Sequence, residues 1–369
     1  MEEEVSRPMR ILLGTNHFQE IAGSELVILE FAELFRQMEH EVCICANFLG
    51  APMKRMAERA ECELRLADES INAFEFDLVM VINQIAPLLR YEKTDAMRPA
   101  TRFVFMHVDL NFTLSQPGLV HEPMLADEIW LHSAEARDYF VEQVLAPSKT
   151  YLFHNAAPSR FWRPERSYQQ ELKSVLFVSN HLPEELEELK TILAARRIAI
   201  MHLGRNGDEY GRLGPKTLLE AGAVISMGKT AQYCLATRTP LFVYDHFGGP
   251  GYLTEQNLDR AAWFNFSGRC CQRELHAEGL ADELIDGYYS AISFMQELPD
   301  QARGRFRLRP KLLRLLERIP ESSPNVERLL FIEQQRLAMR HEQALAKAAG
   351  MFHQMWRGAH LTVQCLKAQ

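Results

Sequence analysis

Between Arg10 and Ala46 an apolar run, a polar loop, an amphipathic stretch and a second apolar run follow one another, and that succession leaves few folds open. Arg10-Ile11-Leu12-Leu13-Gly14 has the length and composition of a short buried strand. Leu26, Ile28, Leu29, Ala32, Leu34 and Phe35 then recur at roughly helical spacing, and His40-Glu41 leads into an apolar strand over 42–46. Two strands joined by a right-handed crossover helix lie parallel, so the chain opens as a β-loop-α-β unit. Further strands are expected over 78–82, 102–106 and 128–131, with a helix over 134–144. This alternation predicts a doubly wound parallel sheet.

The rhythm then restarts. Ser174–Val178 reads as a strand, 183–196 as an acid-rich helix with Pro183 in its first turn, and 198–203, 223–226 and 240–244 as three more strands. A chain of 369 residues suits two such cores better than one. The polar stretch Pro158-Ser-Arg-Phe-Trp-Arg-Pro164 reads as the connection. The expected organisation is a first α/β domain over 1–160, a second over 161–320 and a helical tail over 321–369. Pro320-Glu-Ser-Ser-Pro324 breaks the chain before that tail, and Asn325 is placed to cap one long helix running to about Trp356. Its apolar positions suit packing on the protein, on another copy or on a further domain.

Composition narrows the setting. An apolar fraction of 47% and a charged fraction of 24% are those of a globular chain, and no apolar run reaches the length of a membrane span. The start, MEEEVSRPMR, lacks the core of a signal peptide, so a cytoplasmic protein is expected. Seven cysteines without a CxxC pair or zinc-ligand spacing read as space-filling thiols. A net charge of −8 argues against broad nucleic-acid binding. One local exception is Arg303 to Arg318, whose seven basic residues interleave with Phe306 and several leucines. It reads either as a surface for an anionic membrane or as a closing helix of the second domain, and Pro310, which splits it, favours the latter.

Candidate chemistry sits where predicted strands end. In Val224-Ile-Ser-Met-Gly228-Lys229-Thr230-Ala231 a strand runs into a helix start, where backbone amides, a lysine and a hydroxyl converge. That set suits a diphosphate, although the glycine that a Walker loop would need upstream is Ala223. The alternative is a plain helix cap with a solvated lysine. Tyr244-Asp245-His246-Phe247-Gly248-Gly249-Pro250-Gly251 places a carboxylate at a strand end, to hold a sugar or ribose hydroxyl or to cap a tight turn. His246 can meet phosphate or sugar, and Gly248 and Gly249 suggest unusual backbone angles or close ligand approach. His107 and Asp109, ending the 102–106 strand, are candidates for a general base or a sugar contact, with His132 and His154-Asn155 as lesser ones. Gly23, before the first helix, either admits an anionic ligand or belongs to an ordinary connection capped by Ser24. Arg269 is a candidate phosphate contact.

Several of these pieces, in order, resemble GT-B glycosyltransferases. Ala22-Gly-Ser-Glu25 with Gln37-Met-Glu-His-Glu-Val42 is similar to their opening GG-x-E loop and G-H-E-V turn. Glu128-Ile-Trp-Leu-His-Ser133 resembles an A-D-x-I-x-x-x-S strand, and Phe153-His-Asn155 with Arg160-Phe161 resembles the crossover. Thr239-Pro240 through Asp245, with Gly248-Gly249, resembles the G-T-P-V…D-x-G-G donor loop. The resemblance covers roughly 10–270. The paired glutamates of the largest retaining family are replaced by Ile225 and Tyr233, and the segments around Gly228 and Asp245 look instead like a bacterial surface-polysaccharide subgroup.

The resemblance implies two Rossmann-like domains facing a cleft and sugar transfer from a nucleotide-sugar donor to a hydroxyl of a glycan or lipid-linked acceptor. It implies catalysis without a metal, donor phosphates held by Gly228, Lys229, Thr230 and Ala231, and peripheral association with the inner membrane. A nucleotide-sugar 2-epimerase on the same architecture, or a non-catalytic scaffold working through its tail helix, are the alternatives.

Overall fold

The computed structural model describes residues 7–82, 84–108, 110, 118–143, 147–162 and 165–367. The chain divides into two compact units. The first runs to Leu131, resumes over Ala136–Leu152 and takes in the chain from Arg314 onward; the second comprises His132–Glu135 and Phe153–Leu313.

The first unit holds β1 (Arg10–Phe18), α1 (Gly23–Gln37), β2 (Glu41–Leu49), α2 (Met53–Arg59), β3 (Glu63–Leu66), β4 (Leu78–Ile82), β5 (Arg102–His107), α3 (His121–Leu125), β6 (Glu128–Leu131), α4 (Ala134–Gln143) and β7 (Thr150–Leu152). Its seven strands form one sheet in the order β3-β2-β1-β4-β5-β6-β7, parallel throughout. The central strands are apolar because both faces are covered. Leu12, Val79 and Phe103 contribute to a core shared with Phe74, Tyr91 and Phe140. The order reverses between β1 and β4, which places the open crevice beyond the carboxyl ends of those strands.

β1 is longer than its apolar run. Pairing continues through Thr15↔Ala46, His17↔Phe48 and Phe18↔Leu49, so the residues expected in a loop are buried strand residues. Polar β3 and β7 were invisible to an apolar-run criterion because they are short and only partly covered.

The second unit holds β8 (Ser174–Val178), α5 (Glu184–Ala195), β9 (Ala199–Leu203), α6 (Pro215–Glu220), β10 (Ala223–Ser226), α7 (Lys229–Thr237), β11 (Leu241–Asp245), β12 (Gly248–Tyr252), α8 (Leu258–Trp263), α9 (Ala277–Asp286), α10 (Tyr288–Glu297) and α11 (Asp300–Gly304). Its sheet order is β12-β11-β10-β8-β9, parallel except for the antiparallel edge strand β12. Here the reversal falls between β8 and β10.

Helix α12 (Leu308–Glu317) carries the chain back, and α13 (Asn325–Gln334) and α14 (Arg336–Lys367) complete the first unit. The expected single tail helix is thus two, interrupted at Gln335, and it belongs to the first unit's core through Met339 and Ala346. Pro324 occupies the cap position, and Asn325 instead donates to Arg98 O at 2.9 Å and Thr101 Oγ1 at 2.8 Å. Arg328, buried, ion-pairs with Asp127 at 2.6 Å and donates to Leu125 O. In the basic stretch, Phe306, Leu308, Leu312 and Leu315 are buried, Arg303 pairs with Asp300 and Arg305 with Asp259. Most of its large apolar residues are therefore spent inside the protein, while Leu313 is exposed.

Among the described residues, five cysteines are buried free thiols. Burial pushes Cys43 and Cys270 up to about 12 and Cys62 up to about 11, so they pack rather than react.

Candidate functional site

At the switch point of the second sheet, β8 and β10 end side by side, tied by Ser226 Oγ donating to Val178 O at 2.8 Å. Met227 and Gly228 then turn the chain into α7. Gly228 adopts φ 58° and ψ −128°, a region that a side chain strongly disfavours, and this is why glycine stands here. No side chain caps this helix start. A Cβ on Gly228 would find only Asn265 Nδ2, at 3.8 Å, so the space over the turn is open. An uncapped helix start with open space above it attracts anions through its amides and dipole.

The neighbouring groups do not all behave as their sequence positions suggest. The Lys229 ammonium turns inward, donating to Ala156 O at 3.1 Å and lying 5.4 Å from the Tyr233 ring, which stacks on Phe161. Ala231 N–H is given to Gly228 O at 3.1 Å, closing the first turn. Thr230 is half-buried in that turn. Beside Gly228, Asn265 and Phe266 take φ values of 52° and 56° in succession. Two side-chain-bearing residues in the left-handed region cost about 1 kcal/mol or more each, so the surroundings must enforce them. Phe266 N donates to Ala261 O at 2.6 Å, its ring is buried, and Asn155 Nδ2 donates to Asn265 Oδ1 at 3.1 Å. Nothing in the local sequence announced this strained pair.

Asp245 is buried at the end of β11, and its carboxylate is fully engaged within the protein. Oδ1 accepts from Phe247 N at 2.8 Å; Oδ2 accepts from Ser267 Oγ at 2.7 Å and Gly268 N at 3.0 Å. It is a clamp holding the turn after β11 to the segment that carries Asn265 and Phe266. The glycine-rich run proves to be strand β12, which the expected loop did not include. A Cβ on Gly248 would lie 2.1 Å from Arg273 O and one on Gly249 2.0 Å from Val243 O, so the close approach these glycines permit is to protein backbone. His246 is exposed at the hairpin turn. Arg269 forms a two-pronged ion pair with Glu135 of the same unit, at 3.0 and 2.8 Å.

In the first unit, His107 is buried at the end of β5, and its Nε2 meets Glu122 Oε1 of α3 at 2.8 Å. The other Glu122 oxygen accepts from Gly118 N at 2.8 Å. Next to it, His121 Nδ1 meets Glu342 Oε2 of α14 at 2.5 Å, and the same carboxylate accepts from the amides of Leu119, Val120 and His121. Burial pushes the Glu342 carboxyl up, but His121 and these amides outweigh it and hold it below the usual glutamate range. Neither Glu122 nor Glu342 carries a sequence signal, since they lie 15 and 221 positions from their imidazole partners. Asp109, expected beside His107, lies outside the described residues. Gly23 opens α1 with Ala22 at the cap, and a Cβ there would meet nothing within 4 Å; Ser24 lies inside the helix, donating to Glu25 Oε2 at 2.7 Å. His132 is buried, and His154 packs edge-on against Phe306. Among the described residues no group of three or more His, Cys, Asp or Glu is placed to hold a metal ion.

No family model matches the chain. No curated protein matches it either. Solved structures do. HepE from Anabaena, in complex with UDP and glucose, is 12% identical with a TM-score of 0.56, covering 85% of this chain and all of that one. The same protein in complex with UDP gives 11% and 0.55. A glycosyltransferase from Rickettsia africae is 12% identical with a TM-score of 0.54, covering 85% of this chain and 98% of that one. The fold is that of the GT-B glycosyltransferases, two Rossmann-like units in one chain.

Proposed function

We propose that this protein is a glycosyltransferase that takes a sugar from a nucleotide-activated donor to a hydroxyl group. The observation that carries this reading is the uncapped start of α7 at Gly228, at the switch point of the second sheet, on a fold whose solved neighbour HepE binds UDP. Breaking the anomeric C–O bond leaves negative charge on the departing phosphate. The helix-start amides around Gly228 and Thr230 are the groups suited to stabilise it without a metal, with Lys229 released from Ala156 O to join them. The strained Asn265-Phe266 segment, clamped by Asp245, shapes the wall beside them. In the first unit, His107, oriented by Glu122, is the candidate base for the acceptor hydroxyl. The finer reading is a UDP-sugar donor, which releases UDP, and a glycan or lipid-linked acceptor of bacterial surface polysaccharide, on the cytoplasmic side.

Thermal denaturation with UDP, GDP, CMP, TDP and NAD tests the donor class. UDP at a hundred times its Kd should add about 2.7 kcal/mol of stability, because it binds only the folded state. Lys229→Ala should weaken that nucleotide by roughly tenfold, the scale of one charge-assisted contact. If Lys229→Ala lowers the melting temperature and leaves affinity unchanged, the lysine only braces Ala156 and Tyr233. If no nucleotide shifts the melting curve, the proposed donor site is refuted.

For the acceptor side, His107→Ala should lower turnover by about 10²-fold or more while nucleotide affinity is preserved. Glu122→Gln should reproduce the pattern more weakly, since an amide still orients the ring without stabilising its charge. A parallel loss of nucleotide affinity would reassign His107 to donor contact.

A further inference from the structure

The sequence offered Arg303–Arg318 as either a lipid surface or a closing helix of the second domain, and Phe306, Leu308, Leu312 and Leu315 of that segment are buried. Helix α14 does the opposite. Leu337, Leu345, Met351, Phe352 and Met355 are each between 66% and 72% exposed. At about 100° per residue, these five fall within an arc of roughly 120° on one side of the helix. The opposite side faces the first unit's core with Met339, Glu342, Ala346 and Gly350. Gly350 packs closely there: a Cβ would lie 3.0 Å from Asn47 Nδ2, so that side chain would have to give way. The helix is thus held by one face while a large apolar stripe stays outside.

Charge identifies what the stripe fits. The 32 residues of α14 contain five Lys and Arg and a single carboxylate, Glu342, in a protein whose net charge is −8. Glu342 is buried and taken up by His121 and three amides. Arg336, Arg340 and Lys347 project on the same side of the helix, along one border of the stripe. Among the described residues, Glu69 takes Lys347 at 3.4 Å and Gln343 at 3.0 Å, and Glu92 and Glu333 line one cavity with Arg336 and Arg340, in whose wall Arg90 and Lys93 also lie. Among the described residues no helix is long and apolar enough to cross a membrane.

From this we infer that α14 lies on an anionic lipid bilayer, its stripe at the acyl boundary and its basic border among the headgroups. A second copy of the chain paired antiparallel fits less well, since it would bring a second basic border against the first. The inference is independent of the transferase reading, and its test uses neither donor nor turnover.

Flotation of the intact protein with vesicles of phosphatidylcholine and phosphatidylglycerol in equal parts, and with phosphatidylcholine alone, decides it. Binding is expected on the mixed vesicles only, and raised salt should weaken it. Leu345→Ser, Phe352→Ser and Met355→Ser together should lower the partition coefficient by tenfold or more. Arg336→Glu with Arg340→Glu should do the same, at about fivefold per charge removed near the surface. All five positions are exposed, so unchanged melting temperatures should accompany these losses. Arg305→Gln, Arg307→Gln and Arg309→Gln together should leave binding intact. The inference fails if the intact protein does not float, or if the α14 variants float as well as the parent. It also fails if those variants merely convert a dimer to a monomer in sedimentation without changing vesicle binding.

Discussion

Glu342→Ala is expected to destabilise the protein by about 3–5 kcal/mol in chemical denaturation, the scale for removing one partner of a buried hydrogen-bonded pair. The residue is 7% exposed and is the shared acceptor for the His121 ring and the amides of Leu119, Val120 and His121. Alanine would leave the buried ring and amide of His121 without their acceptor and would strip the part-buried amides of Leu119 and Val120 of theirs. Glu342→Gln should cost less, because one oxygen remains to accept. The effect should reach the candidate base, since the same short helix carries Glu122, which holds His107. Acid should mimic the substitution. The folded-state pKa of Glu342 is depressed, so its contribution is fully present above the unfolded-state value and is lost as pH falls through the folded one. The parent should therefore lose stability on acidification more steeply than Glu342→Gln. A loss below about 1 kcal/mol for Glu342→Ala would mean that α14 is not anchored through this residue.

Asp245→Asn is expected to cost about 2–3 kcal/mol, because it places an amide N–H2 against donors and leaves at least one of them unpaired. If the amide oxygen keeps Phe247 N, its nitrogen faces Gly268 N and Ser267 Oγ, which now hold Oδ2. Releasing Gly268 frees the segment that forces Asn265 and Phe266 into left-handed conformations beside Gly228. Nucleotide affinity should fall together with stability, and Asp245→Ala should behave in the same way. Full stability with a selective loss of turnover would instead make Asp245 a group that touches substrate.

Much of the architecture was legible in the chain. Buried parallel strands are covered on both faces and read as nearly continuous apolar runs, so β4, β6, β8 and β10 announce themselves at their true bounds. The turn at Gly228 was legible for a related reason: a strand that ends in Ser-Met-Gly-Lys-Thr has only a few ways to enter a helix, and the observed φ demands glycine. Repetition of the strand-helix rhythm marked a second core, since one crossover unit cannot bury its own faces.

What the tertiary structure decided is the fate of polar groups. Thr15 and His17 look like a loop until β2 pairs with them, because strand pairing satisfies backbone whatever the side chain. The run around Gly248 looks like a ligand loop until β12 is seen lying against β11 and the backbone of Arg273. Lys229 and Asp245 are of the types that bind diphosphate and sugar, and each has a protein partner that no local pattern discloses. The roles of Glu122 and Glu342, and the outward face of α14, follow from contacts between residues far apart in the chain. Hydrophobic periodicity reports which residues are to be buried; only the folded chain specifies which donor meets which acceptor, and which apolar face is left for something else to cover.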